Sequence, residues 1–280
     1  MRARTWLLTG CSKGFGRALA ELLLMRGERV IATARKRESL NGLVGLDCER
    51  ALALSLDVTV PDQVQSAVAS AQERFGPIDV LINNAGYGQV GTVEDSPIEA
   101  ARAVMETNLF GAIAMIKAVL PGMRQRRSGQ IVNIGSVAGQ IGFPALGYYC
   151  ASKFALSGLT ESLAAEVAGL GIMVTLAELG PFATSFTRSM SVIPPSPHYD
   201  LAALAHAAGN SGWGTGDDPY VGAAALLSAL TDSAPPRRLI LGQPGLTVVA
   251  LHEAMRRDER QRWHSISQLD TADAAPKRTN

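Results

Sequence analysis

The sequence predicts an α/β domain built on a doubly wound parallel sheet of about seven strands with helices on both faces. Three observations carry this: short runs rich in Val, Ile and Leu alternate with longer helix-patterned stretches, the short runs are mostly apolar throughout, and glycines crowd the first strand-to-helix turn. Strands covered on both faces read as continuous apolar runs rather than as alternating ones. Regular alternation of strand and helix patterns favours a parallel sheet with right-handed crossovers.

Taken in order, the strand runs are residues 5–9, 29–34, 51–56, 80–83 and 130–134. Residues 17–26 read as a helix ended by Gly27, residues 61–75 open on Pro61 and close at Gly76-Pro77, and residues 97–126 span one or two helical segments. Proline suits a first helical turn because the N–H it lacks has no partner there anyway. A helix carrying Tyr149 and Lys153 leads to a sixth strand at 173–178, residues 219–230 form a further helix, and residues 238–241 form a seventh strand. We read residues 1–250 as one domain and 251–280 as a C-terminal helix and polar tail; no internal repeat is visible.

The 280 residues, 47% of them hydrophobic, suffice for a substantial core. With 26 Lys+Arg against 25 Asp+Glu, the net charge of +1 offers no footprint for nucleic acid or an anionic membrane, so a small-molecule partner is expected. Cys11, Cys48 and Cys150 are odd in number and lack metal-ligand or redox spacing, which fits a reducing cytoplasm. The apolar stretch Trp6-Leu7-Leu8 is too short for a signal or membrane segment, and a soluble, unanchored chain is expected. His198, His206, His252 and His264 show no ligand spacing, and no metal is assigned. Arg256, Arg257, Arg260 and Arg262 are interrupted by Asp258 and Glu259, which suits a solvated or subunit-facing helix better than a nucleic-acid patch.

Two segments carry chemistry. Thr9-Gly10-Cys11-Ser12-Lys13-Gly14-Phe15-Gly16 lies between the first strand and the first helix, where glycines allow a tight turn and close approach of a dinucleotide pyrophosphate to the helix N-terminus. Its Gly-x-x-x-Gly-x-Gly spacing departs from Gly-x-Gly-x-x-Gly, and alone it could merely tighten a turn. Further on, Tyr149 and Lys153 stand four residues apart, on one helix face one turn from each other. A free phenol, with a pKa of about 10, is roughly one part in a thousand ionised at pH 7. A neighbouring ammonium lowers that value, so the pair reads as a tuned acid–base device. Ser136, thirteen residues upstream of Tyr149, offers a hydroxyl to the same reacting oxygen. Tyr148 is rotated off the Lys153 face and is given a packing or substrate-wall role.

In this order, Thr9-Gly10-x-x-x-Gly14-x-Gly16, Asn83-Asn84-Ala85-Gly86, Ser136 and Tyr149-x-x-x-Lys153 resemble the short-chain dehydrogenase/reductase family, over roughly residues 5–185. The resemblance implies a single-domain Rossmann-type fold and a hydride-transfer reaction between a ketone or aldehyde and an alcohol. It implies that Tyr149 is the general acid/base, Ser136 polarises the carbonyl, Lys153 lowers the tyrosine pKa and binds ribose, and Asn108 supports a proton relay. It further implies cofactor contacts from Gly10, Ser12, Lys13, Gly14, Phe15 and Gly16, from Asp57 and Val58 at the adenine, from Asn84, Ala85 and Gly86, and from Phe182 and Thr184 near the nicotinamide. Two departures stand out: Leu179 replaces the proline of the family's Pro-Gly-x-x-x-Thr segment, and Gly135 stands where a second serine is frequent. The layout is closest to the branch resembling 17β-hydroxysteroid and retinol dehydrogenases.

Charge selects the cofactor. The second strand ends Ala32-Thr33-Ala34 and is followed by Arg35-Lys36-Arg37, with no carboxylate until Glu38. An NAD site wants an acidic residue there for the ribose 2′-hydroxyl, whereas a 2′-phosphate wants a cation. NADP(H) is therefore expected, with Arg35 as bidentate phosphate partner and Lys13 as a second charge.

Residues 185–218 are expected to form a substrate lid. Pro194-Pro195-Ser196-Pro197 breaks regular structure, residues 209–216 are glycine-rich, and Phe186, Tyr199, Leu201, Leu204 and Trp213 could close an apolar pocket. That composition points to a hydrophobic carbonyl or secondary alcohol, and a homodimer or homotetramer is expected. Cys11, in the glycine loop, is read as filling space under the cofactor rather than as a reactive thiol. Two alternatives stay open: a redox-sensing regulator that binds the cofactor without turnover, and a non-redox lyase or epimerase on the same scaffold.

Overall fold

The computed structural model describes residues 3–200, 202–203 and 216–268. Leu201, Leu204, Trp213, most of the glycine-rich run 209–216 and the tail 270–280 lie outside the described residues.

In chain order the elements are β1 (Thr5–Leu8), α1 (Gly14–Met25), β2 (Arg29–Ala34), α2 (Asn41–Leu46), β3 (Ala51–Ser55), α3 (Pro61–Phe75), β4 (Val80–Asn83), β5 (Gln89–Val90), α4 (Ile98–Met105), α5 (Gly111–Arg126) and β6 (Gly129–Ser136). They continue with α6 (Gly147–Val167), β7 (Ile172–Leu179), β8 (Ser191–Val192), α7 (Pro219–Leu230), β9 (Arg238–Leu241), α8 (Gln243–Arg262) and α9 (His264–Ser267). Seven strands form one parallel sheet in the order β3-β2-β1-β4-β6-β7-β9. The seven strands expected from the sequence are all present, several with shifted ends. The pair β5 and β8, a separate two-stranded parallel sheet, was not anticipated.

Both faces of the sheet are buried, as apolar strands require. On β1, Trp6 and Leu8 face the layer of α1 and α7, with Leu19, Leu23, Leu226 and Leu227. Leu7, between them, faces the opposite layer with Val64, Met115, Val119 and Leu163 of α3, α5 and α6. The strand order reverses between β1 and β4. In a parallel sheet that reversal opens a crevice beyond the carboxyl ends of the strands, and ligands bind there.

Residues 98–126 form one helical rod rather than two helices with a loop. A π-helical turn, Glu106–Phe110, joins α4 to α5 and places Asn108 on the inner side, 2% exposed. Such one-residue insertions re-aim a side chain without ending the helix.

Polar side chains cross the core below the crevice. Asn83 at the end of β4 donates to Asn133 Oδ1 on β6 at 2.9 Å, and Asn133 donates to Thr160 Oγ1 on α6 at 2.9 Å. Thr160 in turn donates to the Leu156 carbonyl at 2.6 Å. All three side chains are buried, so each depends on the others for its hydrogen bonds. Asn133→Leu is expected to destabilise the fold by about 2 kcal/mol, because it strips partners from two buried groups at once. Urea unfolding of the purified variant checks this, and an unchanged midpoint would show the chain to be dispensable.

Candidate active site

The glycine loop follows β1 directly, and its shape is dictated by what lies opposite. Gly10 and Gly14 have φ of +73° and +63°, in the left-handed region that side chains avoid. A Cβ on Gly10 would lie 2.9 Å from Ala85 Cα, and one on Gly16 would lie 2.3 Å from Asn84 Nδ2. The loop and the segment after β4 are latched together. Asn84 Nδ2 donates to the carbonyls of Thr9 and Gly10 at 2.9 and 3.0 Å, while Thr9 Oγ1 accepts from the amides of Asn84 and Ala85 at 3.0 and 2.9 Å. The result is a cradle lined by backbone at the N-terminus of α1, a fit for a pyrophosphate.

Ser136 ends β6, and Tyr149 and Lys153 lie on the inner face of α6. All three are buried and line one cleft of about 390 Å³, within the range of small-molecule sites. The Ser136 hydroxyl accepts from the Ala138 amide at 3.1 Å and lies beside the Tyr149 phenol, near enough to favour its ionised form. Lys153 Nζ donates to the Ile134 carbonyl at 2.8 Å and stands 5.9 Å from the centre of the Tyr149 ring. Asn108 sits behind this group. Its Oδ1 accepts from the Tyr87 amide at 3.0 Å, and its Nδ2 donates to the Tyr87 carbonyl and to Ser152 Oγ, both at 3.0 Å. Ser152 Oγ donates to the Tyr149 carbonyl at 2.7 Å, so Asn108 ties the loop after β4 to the helix of Tyr149. Gly86 makes room: a Cβ there would lie 3.0 Å from Asn108 Oδ1 and 3.8 Å from Lys153 Nζ.

Burial pushes the Tyr149 phenol up to about 12, with the nearby Ser136 hydroxyl offsetting part of that rise and the Cys150 thiol adding to it. Burial likewise brings the Lys153 ammonium from its ordinary 10.5 down to about 8. Phe186 closes over the phenol, its ring centre 5.7 Å away. Tyr149 and Phe186 belong to an apolar cluster with Val137, Ile141, Phe143 and Met190.

The other expected residues fall along the same cleft. Ser12, Lys13, Phe15, Arg35, Asp57, Val58, Asn84, Ala85, Gly86, Phe182 and Thr184 all line it with the loop glycines. Arg35 is exposed at the rim, whereas Arg37 is committed to the Ala53 carbonyl at 3.1 Å and Arg17 to Glu21 at 2.5 Å. Burial acts to raise the Asp57 carboxyl, but hydrogen bonds from Thr59 and the charge of Arg35 outweigh it and hold the group below its ordinary value. Thr184 packs over the loop, 3.4 Å from a Cβ built on Gly14. The Phe182 ring is part of the core, tilted against Phe15 at 5.3 Å, and anchors the segment that leads to Thr184. Leu179, at the position the family gives to proline, keeps its N–H, and β7 runs on through it in register with Ser136 and Leu241.

Tyr148 turns away from the cleft and anchors the loop before α4, donating to the carbonyls of Val93 and Ser96 at 3.3 and 3.2 Å. Cys11 is fully buried, and burial pushes its thiol up to about 12, which leaves it a space-filling residue. Sequence reasoning missed Tyr87, whose ring lines the cleft, and Ser152, whose only signal was its place before Lys153.

Residues 4–192 match the family described as short chain dehydrogenase. The oxidoreductase BOA17 of Botryotinia fuckeliana is 38% identical over 268 residues, 94% of this chain and 98% of that protein. A short-chain dehydrogenase structure from Streptomyces avermitilis is 39% identical and superposes with a TM-score of 0.86 over 95% of this chain and 98% of its own. A short chain dehydrogenase from Burkholderia cenocepacia, solved in complex with NADP, is 29% identical with a TM-score of 0.74, over 93% of this chain and 97% of its own.

Burying an ammonium costs stability, and the sign follows from the lysine. Because its folded-state value of about 8 lies below 10.5, the folded chain releases this proton first as pH rises. The cost is therefore fully present below about pH 8, on the order of 3 kcal/mol, and fades towards 10.5. Lys153→Met leaves the Ile134 carbonyl without its donor, which returns about 1 kcal/mol of that gain. The variant is expected to melt above wild type near neutral pH, with the advantage shrinking in alkali. Thermal denaturation across pH tests this, and a variant that melts lower at every pH would mean that the ammonium stabilises the fold.

Proposed function

The chain belongs to the short-chain dehydrogenase family of oxidoreductases, and from that premise we propose that it reduces an apolar ketone or aldehyde to the alcohol with NADPH. The observation that carries this reading is the meeting of Ser136, Tyr149 and Lys153 in the cleft that the glycine cradle opens into. The cradle, which a Cβ on Gly10 or Gly16 would fill, fits the dinucleotide pyrophosphate, and exposed Arg35 fits a 2′-phosphate. The NADP found in the similar Burkholderia cenocepacia structure supports the same choice.

When bound, the reduced nicotinamide supplies the hydride. The chain's own residues do the rest. Tyr149 donates its proton to the carbonyl oxygen, and burial favours the neutral phenol that carries that proton. Ser136 donates a hydrogen bond to the same oxygen as charge grows on it. Lys153 holds the ribose hydroxyls and adds positive charge beside the phenol. Asn108, fixed between Tyr87 and Ser152, supports the relay that returns a proton to Tyr149. The apolar side chains of Val137 and Phe186 that line the cleft beside Tyr149 favour a hydrophobic substrate and limit water at the proton transfer.

NADPH absorbance followed with a panel of aryl ketones, aliphatic ketones, aldehydes and steroids tests the reading; cofactor binding without any turnover would favour a regulator instead. Tyr149→Phe is expected to lower kcat by about 100-fold or more, since a positioned acid contributes that much. Undiminished turnover in that variant would remove Tyr149 from the mechanism. Arg35→Ala is expected to raise KM for NADPH far more than for NADH, and equal effects would count against a 2′-phosphate contact.

A further inference from the structure

The inner face of α6 does not end at the catalytic pair. Tyr149, Lys153 and Ser157 follow at intervals of four, and Ser157 reaches a buried polar cluster centred on Glu178 of β7. The Glu178 side chain has no exposed surface. Its Oε2 accepts from Gln140 Nε2 at 2.6 Å, and its Oε1 accepts from Arg238 Nη1 at 2.8 Å and from Ser157 Oγ at 3.4 Å. Arg238 also pairs with Glu161, so the charged groups around this carboxylate are Arg238 and, beyond it, Glu161.

These partners sit on the two halves of the site. Gln140 follows the turn Val137–Gly139, which begins at Ser136, whereas Ser157 lies one turn beyond Lys153. The turn lies tightly on the helix: a Cβ on Gly139 would be 2.9 Å from the Lys153 carbonyl and 3.0 Å from Ser157 Oγ. Gly135 pairs with Glu178 across the strands, and a Cβ there would lie 3.3 Å from Glu178 Cγ. The missing side chain beside Ser136 thus leaves room for the carboxylate.

We propose that Glu178 is a positioning residue: bridging Gln140 and Ser157, with Arg238 as counter-ion, it sets the Ser136 turn against the helix of Tyr149 and Lys153. The role rests on the reductase reading above, because the distance it controls is that between the Ser136 hydroxyl and the Tyr149 phenol. Burial raises the carboxyl pKa, against the charge of Arg238 and the three hydrogen bonds, so the group is retained at a cost to stability.

Gln140→Leu cuts the bridge at its partly exposed end and spares the ion pair; Glu178→Gln removes the charge. With NADPH and acetophenone, and with NADP and 1-phenylethanol in reverse, Gln140→Leu is expected to lose about tenfold or more in kcat at little change in the Kd for NADPH. The rising limb of alcohol oxidation with pH, which follows ionisation of Tyr149, should also move to higher pH, because a displaced Ser136 hydroxyl stabilises the phenolate less. A residue that only stabilised the fold would lower the melting temperature and leave that limb in place. Hydrogen exchange of the segment around Ala138, faster in Gln140→Leu than in wild type, reads the same displacement without turnover. Wild type reducing no ketone of the panel counts against the reductase reading alone, and exchange then decides this proposal. Unchanged exchange in Gln140→Leu, or an unmoved limb and kcat, overturns it even where Glu178→Gln fails to fold.

Discussion

The arrangement turns on one demand: an ammonium, Lys153, has to stand inside the protein, 6% exposed, beside a buried phenol. Charge in such a place is tolerated only where oxygen atoms replace water. The Ile134 carbonyl, on the strand that ends at Ser136, is the oxygen supplied. Holding the ammonium there sets the height of α6 against β6, and with it the placement of Tyr149 against Ser136. Gly86 and Asn108 complete the wall, and Asn108 reaches it only because the helical rod takes a π-helical turn at Glu106–Phe110.

A second layer of constraint lies in the strand ends. A parallel sheet leaves backbone groups without strand partners where its strands stop, and here they stop at a cleft. Asparagines meet this need one after another. Asn84 caps the carbonyls of Thr9 and Gly10, Asn108 satisfies both backbone groups of Tyr87, and Asn133 joins β6 to α6. An amide can donate and accept at once, so one side chain serves two segments of chain.

What could be read from the sequence was whatever depends on period or local backbone. The spacing of Tyr149 and Lys153, the glycines of the loop and the apolar strand runs all survive into the structure. Features set by tertiary surroundings were illegible. A π-helical turn has no sequence period, so the run 97–126 could not show how Asn108 turns inward. The direction of the Tyr149 shift depends on how completely Phe186, Val137 and their neighbours exclude water, and the four-residue spacing carries no information about that. Phe182, expected as a cofactor contact, lines the cleft while its ring packs in the core against Phe15. The departure at Leu179 also acquires a reason: its N–H lets β7 continue in register between Ser136 and Leu241.

In the proposed reaction, the protonation state of Tyr149 and the choice of substrate share one physical origin. Val137 and Phe186, which belong to the apolar cluster around the Tyr149 phenol, also line the cleft that the proposed carbonyl substrate enters. A polar substrate would bring water and hydrogen-bond donors to the phenol, and would weaken the exclusion that holds its proton in place. A hydrophobic one preserves that exclusion and leaves Ser136 and Tyr149 as the polar groups facing its oxygen. In the proposed reaction, selectivity for apolar carbonyls follows from the same burial that surrounds the Tyr149 phenol.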